Sequence, residues 1–182
     1  MNLKFVPVLL LALILMSCDN STEPQIPKTS GEVTVPSVDQ NQNGVGFSFS
    51  QAAIITYPNT SDKIPDLFVQ VHTEESGEVK GVFFTADTLV PTFALIANPS
   101  TSDSAQAQFD TLNTIPDSLK YSSLALPIQR NQIWVVHTRR NTYALLLVLA
   151  TTAYIDSTNN NTPYGEATFA WEYQPNGTRQ FD

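Results

Sequence analysis

The side chains able to carry chemistry are few and scattered. Cys18 is the only cysteine, His72 and His137 are the only histidines, and the two methionines stand at positions 1 and 16. Carboxylates gather at Glu74-Glu75 with Glu78, and at Asp62 with Asp66. Hydrolysis of a glycosidic bond needs two carboxylates at a defined separation across a cleft, whereas acids bunched on turn-like sequence are ordinarily solvated. Asp156-Ser157-Thr158-Asn159-Asn160-Asn161 offers oxygen ligands in a row but lacks the glycine and terminal glutamate of a calcium loop. It reads as an asparagine-rich hairpin loop. No Gly-x-Ser-x-Gly, His-Glu-x-x-His or P-loop signature occurs, and Gly44-Val45-Gly46 lacks the third glycine of a dinucleotide-binding turn. A lone cysteine cannot build a disulfide framework or a cysteine-rich metal site. With 9 basic and 17 acidic residues, the net charge of −8 argues against a sequence-independent hold on nucleic acid.

The opening of the chain explains the cysteine. Met1 to Lys4 is short and positively charged, and Phe5 to Met16 is almost wholly apolar. Twelve helical residues rise only ~18 Å, short of the ~30 Å hydrocarbon core, so this is the apolar segment of a signal peptide rather than a membrane span. The segment ends Leu15-Met16-Ser17-Cys18, which resembles the lipobox of bacterial lipoproteins. The resemblance implies a diacylglyceryl group on the Cys18 sulfur, cleavage after Ser17, and acylation of the new amine by a chain such as palmitate. An ordinary secretory signal with an incidental cysteine is the bland alternative. Stable anchoring takes more than one acyl chain, at ~0.8 kcal/mol per buried CH₂, and the expected lipid supplies three. Cleavage would also remove both methionines and Lys4.

Asp19 to Asn43 holds three prolines, many Ser, Thr, Asn and Gln, and no aromatic residue. Such a stretch cannot bury enough apolar area to offset its ordering entropy. It is expected to be a tether, with Val33-Thr34-Val35 as an optional edge strand. From Gly44 onward the apolar period is two. Phe47 and Phe49 alternate with small residues, and Leu67, Val69 and Val71 share one face against Gln70, His72 and Glu74. Val79 to Thr85 follows a turn-like join and completes a hairpin. Ile133 to Val136 leads into Tyr143 to Ala150, which is apolar on both faces as a central strand would be. Ala167, Phe169, Trp171 and Tyr173 are predicted to point inward. Two places offer short helices, Ala105 to Leu112 after Ser102-Asp103-Ser104 and Ser118 to Leu124 after Pro116-Asp117, with long-loop structure the alternative for each. The expected fold class is all-β: an antiparallel β-sandwich or partly open barrel, with one or two short helices in the middle loop region. Residues 1–17 are then the signal peptide, 18–43 the lipidated cysteine and flexible tether, and 44–182 a single β-rich domain.

The closing third also resembles the end of the HmuY-like lipoproteins. The residues concerned are Ile133 to Thr138, Asn141 to Leu146, Gly165 to Gln174 and Asn176-Gly177-Thr178, with Phe47-Ser48-Phe49-Ser50 near the start. A Trp-Asp-aliphatic motif usual in that family is replaced by Pro65-Asp66-Leu67-Phe68. The resemblance implies an all-β body and, for its founding members, capture of haem between two axial ligands outside the cell. In a mature chain without Met or free Cys side chains, haem iron could take only His72, His137 or a tyrosine. Arg139 and Arg140 would then pair with the propionates. Two histidines on polar strand faces are nonetheless ordinarily solvated, and nothing in the sequence sets them a haem-width apart.

Two functional readings follow. The first is a non-enzymatic binding protein of the bacterial cell envelope, lipid-anchored through Cys18, its domain in the periplasm or at the cell surface, with haem or an envelope protein as partner. The second is a structural or protein-interaction lipoprotein with no small-molecule ligand. An enzyme is not expected, since no catalytic constellation occurs, and neither is a nucleic-acid partner.

Overall fold

Ten strands, some alternating and the central ones apolar on both faces, build two antiparallel sheets that close over a shared aromatic core. The computed structural model describes residues 28–61 and 63–181. The signal peptide, Cys18 and the first part of the expected tether lie outside the described residues. The strands are β1 (Ser30–Pro36), β2 (Val45–Ser48), β3 (Ala53–Thr56), β4 (Leu67–Thr73), β5 (Val79–Thr85), β6 (Phe93–Ala97), β7 (Leu124–Ala125), β8 (Ile133–His137), β9 (Tyr143–Asp156) and β10 (Thr162–Gln174). One sheet runs β1-β10-β9-β8-β6 and the other β3-β2-β4-β5-β7. The fold is an all-β sandwich and not a closed barrel. Ser122 bridges Phe93 of the first sheet, and Leu124 and Ala125 pair with β5 of the second, so this segment joins the sheets along one side.

The inner faces meet around Phe47, Phe49, Phe84, Phe169, Trp171 and Tyr173. Phe47 stands edge-on to Phe49 and Phe169, with ring centroids 5.3 and 5.9 Å apart, the geometry that aromatic quadrupoles favour. Ala167, Phe169, Trp171 and Tyr173 point inward as their alternation predicts. The run from Tyr143 lies between β8 and β10 and feeds two cores. Ala144, Leu146 and Val148 face the other sheet, while Leu145 and Leu147 pack beneath a helix on the outer face. That helix, α1 (Ser102–Thr111), buries Ala105 and Phe109. Its cap is Thr101, whose hydroxyl accepts the Ser104 N–H at 3.2 Å, and Asp103 in the first turn complements the helix dipole.

Two expectations are corrected. The folded body begins by Ser30 rather than Gly44, because Ser30 to Pro36 adds an edge strand along β10 within the stretch read as tether. The optional edge strand at Val33-Thr34-Val35 is the centre of this longer strand. Val35 is fully buried, Val33 packs against the core, and Thr34 shares a 2.8 Å hydroxyl bond with Thr168. Proline is tolerated at the end of such an edge. The second expected helix, Ser118 to Leu124, does not form. Its backbone is engaged elsewhere, since Ser122 exchanges hydrogen bonds with Phe93 and accepts from Thr92.

Candidate functional site

The sandwich has two dissimilar ends. At the near end β1 begins, with Ser30 opposite Glu172, and the β8–β9 turn carries Arg139 and Arg140. At the far end β1 finishes at Pro36, opposite Glu166, and the β9–β10 hairpin projects.

The two histidines fall at opposite ends. His137 closes β8 and pairs with Tyr143 at the near end. Its ring stacks on Tyr143 with centroids 4.7 Å apart and planes 12° from parallel, and Tyr121 lies 6.0 Å away. Burial, and secondarily the Arg179 guanidinium, hold the imidazole below the usual histidine range. His72, near the end of β4, lines a small cleft with Lys80 and Thr151. From Tyr143 to Thr151 along β9 is roughly 25 Å at ~3.3 Å per residue. A bis-histidine haem needs the ligating nitrogens ~4 Å apart, so His72 and His137 do not fit one iron in this fold. His137 instead serves as a flat packing partner.

The arginines are also engaged. Arg139 Nη1 meets Asp87 Oδ2 at 3.3 Å, and Arg140 Nη1 donates to Ser50 Oγ at 3.0 Å. Beside them Asp66 accepts the Phe49 backbone N–H at 2.9 Å. Burial pushes its carboxyl above the ordinary range, partly offset by that bond and by the Arg140 charge. These groups tie the β2–β3 connection to the β8–β9 turn and to the approach to β4, and the β8–β9 turn to the β5–β6 loop, each cation already facing an oxygen. Among the described residues no three His, Cys, Asp or Glu side chains cluster as metal ligands, and no helix is long and apolar enough to cross a membrane.

The far end is different. A cleft of about 720 Å³ opens between the β1–β2 turn and the β9–β10 hairpin. Its floor carries Tyr154 and Tyr164, register partners on adjacent strands, with ring centroids 5.3 Å apart and planes tilted by 47°. Tyr154 is 47% exposed, and the Tyr164 hydroxyl donates to Glu166 Oε2 at 3.2 Å. Asp39 and Asp156 stand on the rim. Asn43 and Asn41 donate to Asp39, and Thr158 donates twice to Asp156 Oδ1, at 2.9 and 2.6 Å. These hydrogen bonds, led by the Asn43 and Thr158 side chains respectively, hold both carboxyls below the ordinary range. None of the described residues lining the cleft is Lys or Arg.

Sequence reasoning passed over this pair because it ended the central strand at Ala150, four residues short of Tyr154. The available signal was symmetry: the two tyrosines flank the Asp156–Asn161 loop, so closing that hairpin sets them opposite one another. No protein-family profile matches the chain, and no curated protein matches its sequence.

Proposed function

We propose that the protein is a lipoprotein of the bacterial cell envelope, anchored by acyl chains on Cys18, whose β-sandwich is a non-enzymatic binding module facing away from its anchor. The leader, the lipobox-like Leu15-Met16-Ser17-Cys18 and the lone cysteine support the anchoring. The observation that carries the binding reading is the course of β1. This strand enters the sandwich at the near end and borders the open cleft at the far end. A lipid at Cys18 would therefore tether one end of the domain while the cleft looks outward. From Cys18 to Ser30 a chain reaches at most ~40 Å at 3.3–3.6 Å per residue, enough to hold the domain clear of headgroups.

Metabolic labelling with radioactive palmitate tests the anchor. Wild-type chain should carry label and fractionate with membrane, while Cys18→Ala should carry none and keep its leader. Unlabelled wild-type protein, or wild-type chain with its leader intact in the cytosol, would overturn the reading.

A further inference from the structure

The geometry points to the far-end cleft as a binding site for a neutral saccharide, with Tyr154 and Tyr164 as the stacking platform and Asp39, Asp156 and Asn159 as hydroxyl partners. The inference rests on the reading of the domain as a binding module and names the ligand class of that module.

The placement of the tyrosines is the first argument. Helix α1 covers the half of the outer face formed by Ile133, Val135, Leu145 and Leu147. The other half is left open, with Thr34 and Thr168 in a hydroxyl bond and the tyrosine pair beyond them. A tyrosine ring is a large rigid apolar surface with one polar tip. Setting two of them side by side, one well exposed and the other half-buried, leaves aromatic surface open to the cleft. A pyranose ring offers the complementary surface, an apolar face of C–H groups edged by hydroxyls.

The rim supplies the second argument. A sugar hydroxyl donates and accepts, and the rim offers both functions. The ionised carboxylates Asp39 and Asp156 accept only, while the amides of Gln40, Gln42 and Asn159 do both. Asp39 and Asp156 are already fixed by bonds within their own turns, so ordering them for a ligand costs little side-chain entropy. The volume falls within the ~300–1,000 Å³ of small-molecule sites, where apolar walls with a few placed polar groups are the rule.

Charge narrows the class. Asp39, Asp156 and the nearby Glu166, with no basic side chain among the described lining residues, disfavour uronates and phosphorylated sugars. An organic cation would satisfy the charge, and a cation over a tyrosine face is attractive. Such ligands are best held where rings surround a void, however, and these two rings lie next to each other on one sheet, forming a platform.

Native affinity electrophoresis and tyrosine-fluorescence titration of the detergent-solubilised full chain test the inference. The probes are soluble β-glucan, xylan and galactomannan, with polygalacturonate and tetramethylammonium as charged controls. At least one neutral polysaccharide should retard the protein. Tyr154→Ala should weaken that binding about tenfold, equivalent to ~1.4 kcal/mol for one lost stacking surface. Tyr164→Phe, which keeps the ring, should retain most of it, and Asp156→Asn should weaken it several-fold. No retardation by any of the three neutral polysaccharides would overturn the inference. So would binding that Tyr154→Ala leaves unchanged in a chain that still melts like wild type, or a response to tetramethylammonium alone. A palmitate-labelled chain that fails with all three sugars sinks this inference and leaves the anchor standing; an unlabelled chain that binds one sinks the anchor alone.

Discussion

Replacing Gly165 with alanine measures how closely the two sheets approach beneath the far-end face. A Cβ at this position would lie 2.5 Å from Val82 Cγ1 and 2.9 Å from Val71 Cγ2, with the Thr152 carbonyl oxygen at 3.3 Å. Carbon atoms rest ~3.5–4.0 Å apart, so about 1 Å of separation must be made somewhere. Val82 is 1% exposed, and a β-branched side chain has few other rotamers to escape into. Overpacking of this kind costs ~1–3 kcal/mol, and each kcal/mol lowers Tm by ~2–4 °C in a domain of this size. Val82→Ala alone removes two methyl groups from the core, costing ~2 kcal/mol in lost transfer energy and cavity. In the double variant the new methyl occupies the space vacated, so its destabilisation should fall short of the sum by ~1 kcal/mol or more. Urea unfolding of the four proteins, followed through the buried Trp134 and Trp171, gives the cycle directly. Additivity within ~0.3–0.5 kcal/mol would show that residues 165 and 82 do not meet and would refute this packing.

Asp66 should give a pH signature. Its carboxyl is raised by burial, so the folded state holds the proton more tightly than the unfolded chain does, and stability falls as pH rises from the ordinary carboxylate value through the folded one. Asp66→Asn keeps an acceptor for the Phe49 N–H without the charge, and should gain on wild type in Tm across that window, whereas a constant difference from pH 3 to 7 refutes the assignment. Asp66→Ala leaves that N–H unpaired and should cost ~1–3 kcal/mol at any pH in chemical denaturation. His137 has the opposite sign: its imidazole is lowered by burial and Arg179, so the stability it confers is present above ~6.5 and lost as pH falls below. His137→Phe, which preserves the stack on Tyr143, should flatten thermal stability against pH there, while His72→Ala should change stability by less than ~0.5 kcal/mol. Phe169→Ala, deleting a fully buried ring between Phe47 and Phe84, should cost ~3–5 kcal/mol in urea, and a loss below ~1 kcal/mol would contradict its place in the core.

Most of the sandwich was legible because its strands are long and carry their own pattern. Alternation in β10 names the buried residues one by one, and the unbroken apolar run of β9 is what a strand flanked by two others and covered on both faces must look like. The helix was legible from its cap, although the capping side chain is Thr101, one residue before the predicted Ser102. What escaped is short or non-local. β1 was legible only as an option at Val33-Thr34-Val35, and its extent to Ser30 and Pro36 was not, because its stability comes from pairing with residues more than a hundred positions away. Ser118 to Leu124 follows a helix-opening Pro116-Asp117, but the free edge of β6 competes for its backbone and wins at Ser122. The two histidines share a polar-face location in the sequence, and only the strand order separates them, through the length of β9.

The tyrosine platform escaped for a further reason, which concerns phase. Along β9, odd-numbered residues from Tyr143 to Leu149 pack on the outer cluster, while Ala144, Leu146 and Val148 face the partner sheet. Thr168 pairs with Ala150 but Phe169 pairs with Val148, so Leu149 is an extra residue bulged out of the ladder. A bulge shifts every later side chain to the other face. Ala153 accordingly packs inward opposite Gly165, and Tyr154 emerges outward opposite Tyr164. Were the same residues paired in an unbroken ladder from Val148 onward, Thr152 would stand opposite Gly165, and Tyr154 would fall opposite Pro163 and turn toward the partner sheet. One unpaired leucine thus decides which face Tyr154 takes and sets it opposite Tyr164. No composition or period computed over the whole strand contains that information, because it resides in a single departure from the period.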